Sequence, residues 1–268
     1  MLPDYHIHST YSCDARDSMT AICSQAIALG LQEIGFSEHL DLHPLDDTRG
    51  YFKPEAYWAE LEACREACGP QLSIRAGLEL SEPHDHAAEL QPLLAAHPWD
   101  YMLGSLHWVD DMSVFDPQYF RVGPHEAYGG YFDGLLELVR HADFDILAHF
   151  DIAKRYGFDA FGAFDPAAQE ERIRAVLDEL ARRGRALEIN SGTLRRTVGE
   201  TSPGEVIVRW FREQGGQLVC FGSDAHDAVH VGFGQQQVIR MLRLTGFETY
   251  TIYERRQPRL LPLPDLED

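Results

Sequence analysis

Asp4-Tyr5-His6-Ile7-His8-Ser9-Thr10 opens the chain with two histidines two residues apart in a strand-like run. Side chains alternate across a strand with period two, so His6 and His8 point to one face and both imidazoles can reach the same ion from rigid backbone. In a chain with 13 histidines the pair alone says little. Its weight comes from the far end, where Phe221-Gly222-Ser223-Asp224-Ala225-His226 sets a carboxylate and an imidazole at the same spacing after another apolar run.

Between these two stretches the same arrangement recurs. The run Glu33 to Ser37 ends at Glu38-His39, and Leu72 to Leu78 leads into Glu79. Tyr101 to Leu106 ends at His107, and Phe144 to Ala148 ends at His149. Ala186 to Ile189 ends at Asn190-Ser191-Gly192. Helical patterns separate the runs, near 18–29, 54–68, 86–96, 125–141, 166–183 and 203–214, with a last one near 234–244. Gly30 and Gly184 suit positions just past a helix end, and Pro54 suits a first turn. Seven strand–helix rounds predict a parallel sheet. Closure into a barrel is preferred over an open doubly wound sheet, because only a barrel brings the ends of nearly every strand to one mouth. The fold class is therefore α/β, a (β/α)7 TIM-like barrel, and residues 1–268 read as one domain without a low-complexity linker. The tail from Glu248 to Tyr253 reads as a strand followed by a Pro-rich end, and residues 41–53 as a polar loop or lid over the site.

Composition sets the boundaries. With 44% hydrophobic and 25% charged residues the chain can bury an ample core. The net charge of −20 argues against a phosphate-backbone binder, which needs a basic footprint, so no nucleic-acid partner is expected. Five cysteines form no C-x-x-C pair, no signal-peptide pattern follows Met1, and no 18-residue apolar run occurs. A reducing, cytoplasmic location and no membrane partner are expected.

Eight residues then converge at the predicted mouth: His6, His8, His39, Glu79, His107, His149, Asp224 and His226. Packed together without metal, the carboxylates would repel and the imidazoles would compete for partners. Neutral imidazole and carboxylate are donors shared by Zn, Mn and Fe, and no thiolate is placed to favour structural zinc. Eight ligands exceed the needs of one ion, so two or three divalent ions are expected, with Glu79 or Asp224 bridging. His84 and His86 form a second His-x-His pair, but they follow Pro83 and read as loop residues. His43, His97, His125, His141 and His230 read as surface or loop residues.

The ordered set His-x-His, Ser37-Glu38-His39, Gly77-Leu78-Glu79, Gly104-Ser105-Leu106-His107, Ala148-His149-Phe150-Asp151 and Ser223-Asp224-Ala225-His226 resembles the polymerase-and-histidinol-phosphatase (PHP) superfamily. Ala153-Lys154-Arg155 after the fifth strand and Glu188-Ile189-Asn190-Ser191-Gly192 followed by Leu194-Arg195-Arg196 are similar to its monofunctional histidinol-phosphate phosphatases. The resemblance implies a distorted (β/α)7 barrel with a trinuclear site. By position, a first ion takes His6, His8, Glu79 and Asp224, and a second takes Glu79, His107 and His149. A third takes His39, His226 and a residue on the loop after the first strand, often histidine in the family and Asp14 here.

Such a cluster suits hydrolysis of a phosphate ester, and the resemblance implies that the ester is L-histidinol phosphate, hydrolysed to L-histidinol and phosphate, a step of histidine biosynthesis. Bound metal lowers the pKa of water from ~15.7 toward ~7, so the expected nucleophile is a metal-bridging hydroxide rather than a side chain. Asp224 and His226 are the candidate catalytic residues, and the leaving alkoxide takes its proton from His226 or from a metal-held water. Arg155 and Arg196, with Lys154 and Arg195 beside them, are the candidate phosphate binders, because guanidinium suits bidentate phosphate capture. Glu38, Asp110 or Asp111 could receive the cationic end of the substrate. The alternatives are a PHP-type phosphoesterase or nuclease on another ester, an amidohydrolase on a related barrel, and a metal-storing scaffold. Lys53 and Lys154, the only lysines, both fall outside the early and middle strands. No carbamylated-lysine ligand of the amidohydrolase kind is therefore available there.

Overall fold

The computed structural model describes residues 1–266. Seven strands pair in parallel: β1 (Asp4–Ile7), β2 (Glu33–Leu40), β3 (Ser73–Ser81), β4 (Tyr101–Ser105), β7 (Ile146–Leu147), β8 (Ala186–Asn190) and β9 (Val219–Gly222). Their spatial order is their chain order, with an antiparallel hairpin, β5 (Trp108–Val109) and β6 (Met112–Ser113), set outside the sheet. The ring nearly closes where Ile7 bridges Ala225 in parallel and the His8 amide donates to the Ala225 carbonyl at 2.8 Å. The outer layer comprises α1 (Met19–Ala28), α2 (Pro54–Cys68), α3 (Ala87–Ala96), α4 (Pro124–His141), α5 (Ala153–Phe161), α6 (Glu170–Arg182), α7 (Glu205–Glu213) and α8 (Gln235–Leu244). The expected α/β barrel is the observed fold.

The barrel interior is apolar below and polar above, and strand alternation makes it so. Gly35, Gly77 and Tyr101 meet at the lower level, where a Cβ on either glycine would overlap the Tyr101 ring. Two and four residues further along the same faces stand Ser37 and His39, Glu79 and Ser81, and Leu103 and Ser105. The lower level also packs Tyr5, Ile146, Ala148, Ala186, Cys220, Ile252 and Tyr253. Pairing of β1 with β2 jumps in register between Asp4 and Ile7. Consecutive residues Tyr5 and His6 consequently both reach the interior, Tyr5 stacking on Tyr101 at 4.8 Å and His6 meeting Glu79.

Three elements differ from the sequence expectation. Helix α5 follows the fifth strand directly, with Gly157 lying under the Tyr128 hydroxyl where a side chain would clash. The β5–β6 hairpin interrupts the stretch after His107. The tail is a hairpin, β10 (Thr249–Glu254) paired with β11 (Gln257–Pro262), rather than one strand and an irregular end. Pro258 and Pro262 are tolerated because β11 is an edge strand. This hairpin plugs the bottom of the barrel: Tyr253 donates its hydroxyl to the Asp145 carbonyl at 3.1 Å, and Arg256 forks onto Asp143 and Asp145. Among the described residues no helix is long and apolar enough to cross a membrane.

Candidate metal centre

The carboxyl ends of the strands deliver one cluster. Glu79, at the end of β3 and fully buried, is its centre. Its Oε1 lies 2.7 Å from His149 Nε2 and 3.3 Å from His107 Nε2. Its Oε2 lies 3.0 Å from His39 Nδ1, 3.2 Å from His6 Nε2 and 3.6 Å from His8 Nε2. Asp224 closes the other side, with Oδ1 3.5 Å from His226 Nδ1, 3.6 Å from His8 Nε2 and 3.8 Å from His6 Nε2. Asp14, on the loop after β1, approaches His226 Nε2 at 3.0 Å and His39 Nε2 at 3.7 Å.

Four overlapping sets of donor atoms lie within 4.8 Å of one another: His6, His8 and Asp224; His6, Glu79 and His149; His39, Glu79 and His107; His8, His39 and His226. All nine expected ligands are thus gathered at one mouth. Their sharing is closer than the positional assignment implied, since His39 stands between Glu79 and Asp14, and His8 joins the His39–His226 side.

The donor set fits divalent cations on three observations. His8 Nε2, His39 Nδ1 and His149 Nδ1 are buried without a hydrogen-bond partner, which is costly unless something else satisfies them. The far nitrogens of three rings, in contrast, are held. His6 Nδ1 meets Glu188 Oε1 at 2.6 Å, His8 Nδ1 meets Ser12 Oγ at 3.0 Å, and His107 Nδ1 meets Ser81 Oγ at 2.8 Å. Ser12 and Ser81 donate their own protons to Glu38 and Asp41, each at 2.6 Å, so their oxygens accept from the imidazole N–H. That makes Nδ1 the donor nitrogen of His8 and His107 and leaves Nε2 of each facing the cluster, the outer-sphere pattern of metal-bound histidine.

Electrostatics agree. Burial would raise Glu79, but the His39 and His6 charges and hydrogen bonds from His107 and His149 hold it well below the usual carboxylate range. Asp224 is likewise lowered, its burial outweighed by His6, His226 and His8. His8 is pushed well down by burial and by the like charges of His226, His39 and His6, which keeps its imidazole neutral and able to ligate.

Glu188, seen in the sequence only as part of the motif at the end of the sixth strand, and Asp41 carry no role in the sequence reading, and both support ligands. Glu188 accepts the His149 amide at 2.5 Å as well as meeting His6. It reaches past the neighbouring strand β9 to His6 because Gly222 on that strand has no Cβ, which would overlap Glu188 Oε1. Glu188→Gln is expected to weaken metal affinity by ~10–100-fold, the usual cost of losing an outer-sphere carboxylate. Titration of the metal-free variant with Mn or Zn measures this, and unaltered affinity would remove Glu188 from the site.

A cavity of about 620 Å³ opens over the cluster, with Arg16, Arg155, Arg195 and Arg196 as its cationic lining and Phe115, Tyr156, Asp227 and His230 elsewhere. Lys154 departs from the expectation. It is turned inward at the start of α5, where its ammonium meets Asp151 Oδ2 at 2.9 Å, Glu200 Oε1 at 2.8 Å and the Thr201 carbonyl at 2.7 Å. A buried ammonium needs such partners, and they leave it nothing to offer a ligand. Glu38 is similarly consumed by the Ser9 amide and the Ser9 and Ser12 hydroxyls. Asp111 is exposed on the β5–β6 turn, 4.0 Å from His43. His84 and His86 occupy the turn after β3 as expected, whereas His43 is buried against Trp108 at 4.2 Å and His230 reaches the cavity rim. The 41–53 loop is tied at its start by Asp41, which accepts from Ser81 and Thr48.

A family model described as the PHP domain matches residues 4–192. The probable histidinol-phosphatase of Deinococcus radiodurans is 28% identical, over 95% of this chain and 98% of its own length. The histidinol-phosphatase of Lactococcus lactis is 26% identical over 91% of each. The crystal structure of histidinol phosphate phosphatase from Lactococcus lactis, in complex with zinc, L-histidinol and phosphate, superposes with a TM-score of 0.87, covering 96% of this chain and 98% of that one at 23% identity.

Proposed function

The chain belongs to the PHP domain family, and from that membership and the geometry of its cluster we propose that it hydrolyses L-histidinol phosphate to L-histidinol and phosphate in a metal-dependent reaction. The observation that carries the reading is the fully buried Glu79 carboxylate, ringed by five imidazoles of which His8, His39 and His149 keep a nitrogen without a hydrogen-bond partner. The relatives named histidinol-phosphatase support the substrate. His6, His8, Asp14, His39, Glu79, His107, His149, Asp224 and His226 would hold two or three ions among Zn, Mn and Fe, which would supply Lewis acidity and a nucleophilic water at neutral pH.

The chain's own groups do the rest. Arg155 and Arg196 line the cavity and receive the phosphoryl oxygens, where bidentate guanidinium contacts orient the ester. Asp224, kept ionised despite burial, accepts the proton of the attacking water. His226, partly buried at the mouth beside Asp14, protonates the leaving alkoxide. The Asp227 carboxylate on the cavity wall meets the substrate ammonium, a role that falls to it because Glu38 is fully engaged. Residues 1–268 act as one unit, and the five cysteines, all free thiols, suit a reducing cytoplasm.

Incubation of purified protein with Mn or Zn and L-histidinol phosphate is expected to release phosphate with kcat/KM at least ~10-fold above that for p-nitrophenyl phosphate, ~1.4 kcal/mol of discrimination. Parity between the two esters would sink the substrate assignment and leave a general phosphatase.

A further inference from the structure

Four arginines, Arg16, Arg155, Arg195 and Arg196, line the cavity, but they are not equivalent. Arg195 spends both terminal nitrogens on backbone: Nη1 donates to the Ser223 carbonyl and Nη2 to the Asp224 carbonyl, each at 2.9 Å. Its guanidinium also lies over the Phe233 ring, 5.4 Å from the centroid. The residue it grips is unusual. Asp224 has φ of +53°, a left-handed conformation uncommon outside glycine, which aspartate adopts more readily than most residues.

A second contact comes from the same short turn after β8. Gly192, which begins the 3-10 turn Gly192–Arg195, faces the Asp224 side chain so closely that an added Cβ would sit 3.1 Å from Asp224 Cβ and 3.2 Å from Oδ2. The turn is itself anchored, with Ser191 donating its hydroxyl to the Phe233 carbonyl at 2.6 Å. Backbone around the ligand is held from the opposite side, where the Ser223 amide donates to Asp4 Oδ1 at 2.8 Å and the Ala225 amide to the His6 carbonyl at 3.3 Å.

The geometry points to a brace: the Gly192–Arg195 turn sets the conformation of Asp224, with Gly192 leaving room for its carboxylate and Arg195 clamping its carbonyl. Arg195 is a positioning residue acting through Asp224, and Arg155 and Arg196 are the phosphate ligands. This rests on the metal-centre reading above. Left-handed backbone aims the Asp224 carboxylate at His6 and His8, so loss of the clamp releases a ligand rather than a substrate contact.

The test separates the two roles. Arg195→Met keeps the aliphatic stem and removes every donor. It is expected to bind about one ion fewer per chain by elemental analysis, to bind Mn or Zn ~10–100-fold more weakly, and to lose kcat while KM stays within about twofold. Excess metal should restore part of kcat. Arg195→Lys, whose single ammonium reaches one carbonyl but not both, should fall between Arg195→Met and the unaltered protein. Arg196→Gln should do the opposite, raising KM ~10-fold or more at full metal content. Should Arg195→Met fail to fold, Arg195→Lys and Gly192→Ala carry the test, the latter expected to weaken metal binding by pressing on Asp224. A full metal complement with raised KM in the Arg195 variants makes Arg195 a phosphate ligand and overturns the brace. Unchanged metal binding and kinetics overturn it equally. Metal content is read without substrate, so a failure of the histidinol-phosphate assignment leaves this measurement standing, with kinetics then run on p-nitrophenyl phosphate.

Discussion

Glu79→Gln is expected to cut phosphate release by about three orders of magnitude, ~4 kcal/mol of lost transition-state stabilisation, with fewer ions retained per chain. The substitution keeps shape and volume, so the effect reports the lost charge and the lost acceptor rather than altered packing. Glu79 is fully buried and faces five imidazole nitrogens at 2.7 to 3.6 Å, with both oxygens in use. An amide supplies one acceptor where the carboxylate supplies two, and its NH2 group, a pure donor, must face either the His107–His149 pair or the His6, His8 and His39 group. Either way one side of the cluster loses its anionic donor, and an uncharged amide in a low-dielectric pocket cannot offset divalent charge. Initial rates with L-histidinol phosphate and elemental analysis of the same sample check this. Activity within tenfold of the unaltered protein, at full metal content, would remove Glu79 from the centre of the site.

The ligands were legible in sequence because each sits at the end of an apolar run, a signal local to one strand. His6 and His8 needed only the period of two, and Glu79 and His149 needed only their place after Leu78 and Ala148. The supports were not legible, because their meaning is set by partners far along the chain. Glu188 looks like an ordinary strand residue until Gly222, 34 positions on, clears its path to His6. Asp41 lies in a loop whose function depends on Ser81 across the sheet. Lys154 misleads through adjacency. Next to Arg155 it reads as half of a basic pair, but neighbours at the start of a helix diverge by about 100°, and α5 turns one toward Glu200 and the other toward the cavity. Arg195 and Arg196 diverge in the same manner. Helix α5 itself escaped notice because Gly157 lowers its intrinsic propensity by ~1 kcal/mol, while the tertiary reason for that glycine, the Tyr128 hydroxyl, is invisible locally.

Stripping the protein of metal is expected to abolish phosphate release and to lower its melting temperature, with both restored by Mn or Zn. The first effect follows from chemistry: among the residues lining the cavity there is no serine or cysteine to attack phosphorus, and the carboxylates Asp14, Glu79, Asp224 and Asp227 each pair with an imidazole. The second follows from what the cluster does without ions. His8 Nε2, His39 Nδ1 and His149 Nδ1 are buried and unsatisfied, each costing ~1–3 kcal/mol. Burial also works against the charged forms of His6, His39 and His107, which are held protonated only by Glu79, Glu188, Asp41 and their neighbours. Ions that bind the folded chain alone stabilise it by ~2.7 kcal/mol at a hundredfold excess over Kd. At ~2–4 °C per kcal/mol for a domain of this size, one such site raises the melting temperature by ~5–10 °C. Two or three sites would raise it further, and successive steps in a metal titration would count them. Dialysis against a chelator, followed by scanning calorimetry and phosphate assay before and after metal is returned, makes the comparison. Full activity in a sample holding less than a tenth of an ion per chain would leave the cluster without a catalytic role, and an unmoved melting temperature would mean that the buried nitrogens are satisfied in another way.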